Sequence, residues 1–273
     1  FVALSQLKLR EAEQLCQQAL ELFRRLGSRY YEADALLGLT FAKLNTGEVL
    51  AARELVDQAL RIEQDFGLSM NLWVHSASAY CDLNLGRYAE ARSETRGLLD
   101  VARQRGLTEE IGTGLDLLGA IAAAQGDLEQ AESYFRESIA VFKEARDVLR
   151  FRQQASLGYV ARAQGDESLA RKCLHDVLRA ARDHDYPELA LRWLPLAALF
   201  AADDDRPERS VELYSLARHI GYIKSGFWRD LAGRELDEVR AALRPEVAAA
   251  AEERGRALDV QETAEMLLFE LSS

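Results

Sequence analysis

Apolar residues recur along this chain every three or four positions, the spacing that places them on one face of an α-helix. Short polar turns interrupt this pattern at regular intervals. Four of the turns contain a glycine that stands five residues before an alanine, and the pairs are Gly47 and Ala52, Gly86 and Ala91, Gly126 and Ala131, and Gly165 and Ala170. Successive alanines are 39, 40 and 39 residues apart. The pattern predicts helical hairpins with a period of 39–40 residues.

The same register extends beyond these four turns in both directions. Ala12 lies one period before Ala52. Ser210 lies one period after Ala170, with Asp205 in the place of the turn glycine. The register therefore predicts six second helices and five complete helix pairs.

Each unit is predicted to contain a first helix, a turn and a second helix. Glycine at the turn suits the left-handed conformation that ends a helix. Asp127 and Asp166 directly follow two of the glycines and are predicted to cap the second helix. The small residue further along is predicted to lie where two helices cross, because a larger side chain would hold them apart. Hairpins that repeat in this way stack into a solenoid, since each pair buries its apolar face on its neighbours.

The repeated unit resembles the tetratricopeptide repeat (TPR). The residues that carry the resemblance are Leu118, Gly119, Gly126, Leu128, Ala131, Tyr134 and Phe135 in one unit, and Leu157, Gly158, Gly165 and Ala170 in the next. The family's unit has about 34 residues, so the second helices or the linkers are longer here, and the family's proline at the repeat end is missing. The resemblance implies an all-α fold, a right-handed α-solenoid of about six TPR-like helical hairpins over residues 1–225, followed by a C-terminal helical cap over residues 226–273.

The C-terminal tail breaks the period and is predicted to form shorter helices. These lie near residues 235–243, from Pro245, and from Val260, where Asp259 and Glu262 resemble a capping box. The alanine-rich helix, a turn at residues 255–258 and the last amphipathic helix also resemble the C-terminus of large bacterial regulators with a STAND-type ATPase module. Those regulators often carry a LuxR-like DNA-binding, kinase or cyclase domain. The resemblance implies a sensor or scaffold arm whose nucleotide-handling residues lie upstream.

The composition of the chain limits its possible partners and its expected location. A formal net charge of −11 argues against nucleic acid or an anionic membrane surface as the main partner. The longest uncharged apolar run is too short to span a bilayer, and no signal-peptide pattern is present, so we expect a cytoplasmic protein. Cys16, Cys81 and Cys173 lie within apolar helical stripes and are expected to be small core residues.

No residue pattern indicates catalysis or a cofactor. The chain has no phosphate-binding P-loop and no nucleophile elbow. His75, His175, His184 and His219 do not have the spacing of zinc ligands. The glycines of residues 112–119 superficially resemble a dinucleotide loop, but they follow a predicted helix rather than a strand. We therefore expect no enzyme activity, no metal and no cofactor.

The TPR resemblance implies that the first helix of each pair lines a concave face, and partner binding is predicted there. Positions spaced i, i+3, i+7 and i+10 on a first helix share one stripe. The candidate partner-binding residues on this stripe are Asp34, Phe41, Asn45, Trp73, Tyr80, Asn84, Asp116, Arg152, Tyr159, Arg162 and Arg192.

Two groups among these candidates favour a peptide ligand. The aromatic wall, at the N-terminal end, consists of Phe41, Trp73 and Tyr80. A positive stretch near the other end consists of Arg152, Arg162 and Arg192. An acidic peptide can place its apolar part on the wall and its carboxylate on the arginines. The alternative is that the aromatic rings pack between helices and the arginines pair with neighbouring glutamates.

The leading hypothesis is a non-catalytic protein- or peptide-binding module that forms the sensor or scaffold arm of a larger bacterial signalling regulator of the STAND type. Its expected partners are a protein or peptide in the concave groove, a small inducer, and other domains of the parent chain. Direct contacts with nucleic acid or membrane are not expected. The alternatives are a free-standing TPR adaptor or scaffold and a peptide-pheromone receptor domain.

Overall fold

A computed structural model describes residues 9–67, 71–144, 150–184, 189–220 and 229–271. Every long regular element within these ranges is an α-helix. The helices are α1 (Leu9–Leu26), α2 (Arg29–Thr46), α3 (Val49–Phe66), α4 (Leu72–Asn84), α5 (Tyr88–Arg105), α6 (Thr108–Ala124), α7 (Leu128–Glu144), α8 (Arg150–Ala163), α9 (Glu167–His184), α10 (Ala190–Asp203), α11 (Pro207–Ile220), α12 (Arg234–Ala242), α13 (Pro245–Arg256) and α14 (Val260–Leu271). A π-helical turn, Arg229–Gly233, leads into α12.

The helices stack as an all-α repeat solenoid. The first helices of the pairs are α2, α4, α6, α8 and α10, and the second helices are α1, α3, α5, α7, α9 and α11. Each of these helices packs against the next along the chain, and each first helix also contacts the first helix of the following pair. The first helices therefore lie side by side in one layer. The predicted pairs and second helices are confirmed.

The turns have the backbone conformation that the repeat predicts. The glycines between first and second helices have φ between 75° and 82°, and they are Gly47, Gly86, Gly126 and Gly165. Asp205 takes the same left-handed conformation, with φ of 57°. The alanines five residues after the glycines are fully buried, and so is Ser210 in the last unit. The Asp127 and Asp166 carboxylates cap α7 and α9 by accepting the backbone N–H of Gln130 (3.1 Å) and Leu169 (3.0 Å).

Asp205 is a weak point of the last turn, because an L-residue in this conformation carries strain that glycine does not. We expect Asp205→Gly to raise the free energy of unfolding by about 0.5–1 kcal/mol, measured by urea denaturation. The control is Ala202→Gly inside α10, which should lower it by a similar amount. Destabilisation by Asp205→Gly would contradict this account of the turn.

The helices of the tail pack on the last units of the array. Helix α13 packs along α11, α12 contacts α10 and α11, and α14 folds back onto α9. The Asp259 carboxylate accepts the backbone N–H of Gln261 (2.8 Å) and Glu262 (3.0 Å), which confirms the predicted start of α14. The predicted turn at residues 255–258 begins later, because α13 continues to Arg256. Gly255 lies inside that helix, where a Cβ atom would stand 2.2 Å from the backbone oxygen of Glu212.

The cysteines lie within the helical packing, as expected. Cys81 and Cys173 are buried, Cys16 is half-buried, and all three are free thiols. Burial raises the pKa of both Cys81 and Cys173 to about 12, so neither supplies a thiolate at neutral pH. Within the described ranges, no helix combines the length and the apolar character needed to cross a bilayer.

The outer face of α1 is an exposed apolar stripe. Leu15 and Leu22 are each 52% exposed and Leu26 is 68% exposed. In α9, the residues at the repeat positions of Leu15 and Leu22 are Cys173 and Ala180, which are 1% and 2% exposed. Among the described residues, α1 contacts one first helix, whereas α9 lies between two first helices and is also covered by α14.

Candidate functional site: the concave groove

The layer of first helices brings five predicted residues close together. The Tyr80 hydroxyl on α4 donates to Asp116 Oδ2 on α6 (3.0 Å). The Tyr159 hydroxyl on α8 donates to the backbone carbonyl of Arg192 on α10 (2.8 Å). The guanidinium groups of Arg152 on α8 and of Arg192 act electrostatically on Tyr80. These residues, contributed by four neighbouring first helices, are called the central cluster.

Burial governs the electrostatics of the central cluster. Asp116 is 5% exposed and Tyr159 is 3% exposed, while Arg152 and Arg192 are half-buried. Burial raises the pKa of Tyr80, and the charge of Asp116 raises it further. Burial lowers the pKa of Arg192, and the positive charge of Arg152 acts in the same direction while Asp116 opposes it. Two guanidinium groups and one carboxylate thus act on each other in a half-buried place, where charges are screened less than in bulk water.

The aromatic wall lies on the N-terminal part of the first-helix layer. Phe41, Trp73 and Tyr80 pack against the core formed by α1, α2, α3 and α4, yet each remains half-buried. Asn71 Nδ2 lies 3.5 Å from Asp34 Oδ1, and Asn71 Oδ1 accepts the backbone N–H of Trp73 (3.1 Å). Burial raises the pKa of Asp34, and the Asn71 contact partly opposes that shift. Sequence reasoning missed Asn71, although an Asn just before an apolar helical run is a recognisable N-cap.

Arg162 lies where the groove meets the cap. Its guanidinium donates to Asp203 Oδ2 (2.7 Å) at the end of α10 and to Glu235 Oε2 (3.0 Å) on α12. This is the intramolecular pairing that the sequence left open as an alternative. Arg162 therefore joins α8 to both the last pair and the cap.

The two predicted asparagines are also half-buried on first helices. Asn84 Nδ2 donates to the backbone carbonyl of Tyr80 (2.8 Å). Asn84 Oδ1 is buried and has no hydrogen-bond partner in the described structure. Such an atom is destabilising unless another group supplies a donor. Asn45 occupies the corresponding end of α2.

Two solved structures are similar to this chain. One is a Rap protein complexed with competence and sporulation factor, with a TM-score of 0.65 and 15% identity, covering 95% of this chain and 70% of that one. The other is the apo form of RapI, with a TM-score of 0.52 and 14% identity, covering 97% of this chain and 70% of that one. This chain is a TPR-like repeat array. At such identities the likeness shows the fold alone.

Sequence comparison adds no family to this structural likeness. No family model matches the TPR-like array. No curated protein matches it either. The interpretation of the groove therefore depends on its own residues.

A second polar cluster of the array lies outside the groove and was not predicted. His75 Nδ1 on α4 lies 2.9 Å from Glu94 Oε1 on α5, and its Nε2 lies 3.3 Å from Glu63 Oε2 on α3. Burial alone would lower the pKa of His75, but the hydrogen bonds and charges of Glu63 and Glu94 raise it to about 9. The imidazolium thus joins three helices. Within the described residues, no three His, Cys, Asp or Glu side chains are arranged to hold a metal ion.

Proposed function

We propose that this array is a non-catalytic, cytoplasmic peptide-binding module whose central cluster holds a carboxylate of the ligand. The observation that carries the proposal is the central cluster, in which Arg152 and Arg192 lie half-buried beside the hydrogen-bonded Tyr80, Asp116 and Tyr159 on four neighbouring first helices. A ligand carboxylate can accept two parallel hydrogen bonds from a guanidinium, which gives a specific geometry as well as attraction. The similarity to a Rap protein complexed with competence and sporulation factor supports ligand binding by a solenoid of this kind.

The dimensions of the groove favour an extended peptide. Packed helices are 8–10 Å apart, so the distance from α4 to α10 across the first-helix layer is about 27 Å. An extended chain rises about 3.3 Å per residue, so about eight residues reach from one end of this span to the other. The aromatic wall then offers an apolar surface next to the carboxylate position. The peptide-receptor alternative thus gains physical support over a scaffold without a ligand.

Selection from a random octapeptide library, followed by affinity measurement, tests this function. We expect the selected peptides to share an acidic residue and an apolar residue at a fixed separation. Arg152→Gln and Arg192→Gln should each weaken binding about tenfold, equivalent to about 1.4 kcal/mol. The matched control is Arg96→Gln, on the exposed side of second helix α5, which should leave the affinity unchanged. Equal binding by all three variants, or no selected peptide, would refute the proposal.

We further propose that the module is the sensor arm of a larger bacterial signalling regulator of the STAND type. The support is the sequence resemblance of the C-terminal tail, together with a cap that Arg162 ties to the concave layer. The coding sequence upstream of Phe1 tests this context. A nucleotide-binding loop upstream would support it, whereas a start codon directly upstream would favour a free-standing adaptor or receptor.

A further inference from the structure

A cleft at the cap end of the array lies outside the concave groove. It has a volume of about 290 Å³ and is formed by α11, α12 and α13. The charged and aromatic residues that line it are Tyr214, Arg218, His219, Arg240, Glu252 and Arg256. Basic side chains from three helices therefore face one cleft in a chain whose net charge is −11.

The acidic groups of this cleft are already engaged. The Glu252 carboxylate is bound by the Arg240 guanidinium, and its backbone carbonyl accepts the Ser215 hydroxyl (2.8 Å). Asp237 on α12 acts on both Arg240 and Tyr214.

Two arginines of the cleft remain available for a ligand. The Arg218 guanidinium lies 5.7 Å from the centroid of the Tyr214 ring. Arg256 projects from the last turn of α13. In the described part of the chain, neither side chain has a carboxylate within ion-pair distance.

We propose that this cleft binds a phosphate-type anion, either inorganic phosphate or the phosphate group of an ester. Guanidinium groups suit such a ligand because several planar donor pairs can surround the tetrahedral oxygens. A carboxylate offers only two oxygens and one charge, so it uses fewer of the converging donors. The volume exceeds that of a single phosphate, which leaves room for part of an attached ester. The site is separate from the central cluster and does not depend on peptide binding there.

Titration of the intact chain with sodium phosphate at constant ionic strength tests this site. We expect saturable binding with a dissociation constant of about 1 mM or tighter. Shifts of the NMR resonances of the His219 ring measure this binding. Arg218→Gln and Arg256→Gln should each weaken binding about tenfold, and the double variant should abolish it. Both arginine side chains are exposed, so the three variants are expected to fold, which circular dichroism checks.

Two controls separate this site from other sources of binding. Arg244→Gln, at the start of α13 and outside the cleft, should bind phosphate as the parent chain does. Arg152→Gln in the central cluster should also leave phosphate binding unchanged, so failure of one site does not imply failure of the other.

A comparison of phosphate compounds identifies the source of the ligand. A phosphoserine peptide that binds more tightly than phosphate and glycerol phosphate would identify the source as a modified protein. Tighter binding of glycerol phosphate would identify a small phosphate ester. No saturable binding, or equal binding by the double variant, would overturn the proposal.

Discussion

Replacing His75 with glutamine should lower the free energy of unfolding by about 2–3 kcal/mol at pH 7. The substitution keeps a side chain of similar length but removes the positive charge between Glu63 and Glu94. Glu63 has a side chain only 8% exposed and would lose its cationic partner. Removing one member of a buried ion pair is strongly destabilising because the other charge stays desolvated. Urea denaturation at pH 7 measures the loss.

The ion pairs of His75 with Glu63 and Glu94 should make the folded chain less stable as pH rises. The pKa of His75 is about 9 in the folded chain, raised from an ordinary value of 6.5. The folded state therefore binds the proton more tightly, and the stabilisation is complete below pH 6.5 and lost as pH rises through 9. We expect the parent chain to lose stability over this window and His75→Gln to lack that component.

His175→Gln is the matched control for this experiment. His175 lies 3.7 Å from the neighbouring Asp176 and is one-third exposed, so its substitution should change stability little. If His75→Gln and the parent chain showed parallel pH profiles, the ion pairs with Glu63 and Glu94 would not control stability.

Gly255→Ala should lower the free energy of unfolding by about 2–3 kcal/mol and loosen the cap. The added Cβ would stand 2.2 Å from the backbone oxygen of Glu212 and 2.8 Å from Ser215 Cβ. Because a backbone atom of α11 cannot rotate away, α13 must shift as a unit. Urea denaturation measures the loss, and limited proteolysis of the cap should become faster.

Gly97→Ala provides the matched control. Gly97 lies inside α5, and a Cβ atom there would meet nothing within 4 Å. The same substitution should therefore raise stability by about 0.5–1 kcal/mol, since alanine is the better helix former. Destabilisation of similar size at both positions would show that helix–helix contact does not explain the effect at Gly255.

The repeat register could be predicted from sequence because its constraints are local. A left-handed turn favours glycine, and a close crossing of two helices requires a small residue five positions later. Gly126 and Ala131 are an example of this pair. The stripe that holds Tyr80 and Asp116 followed from helix periodicity combined with the TPR resemblance, which assigns the concave face to the first helices. Because the same residues recur at the same positions in several units, each unit supports the assignment of helices and turns in the others.

Pairings between distant units could not be predicted in the same way. Arg162 and Glu235 are separated by 73 residues, and their contact depends on how the cap docks on the last pair. His75 meets Glu63 and Glu94 only because three consecutive helices pack at particular angles. A hydrophobic period sets which face is buried, but it does not set superhelical twist or side-chain rotamers.

Within the described residues, α1 contacts fewer helices than the second helices of the central units, and its outer apolar stripe is exposed. A solenoid behaves as a row of coupled units, and a unit with one neighbour is held by half as many couplings as a unit with two. Leu15 and Leu22 lack the contacts that bury the matching Cys173 and Ala180 of α9. For the described residues taken alone, we therefore expect local opening to need less free energy at α1 than in the central units. The aromatic wall lies nearer to α1 than Arg152 and Arg192 do, so we expect the two ends of the first-helix layer to differ in rigidity.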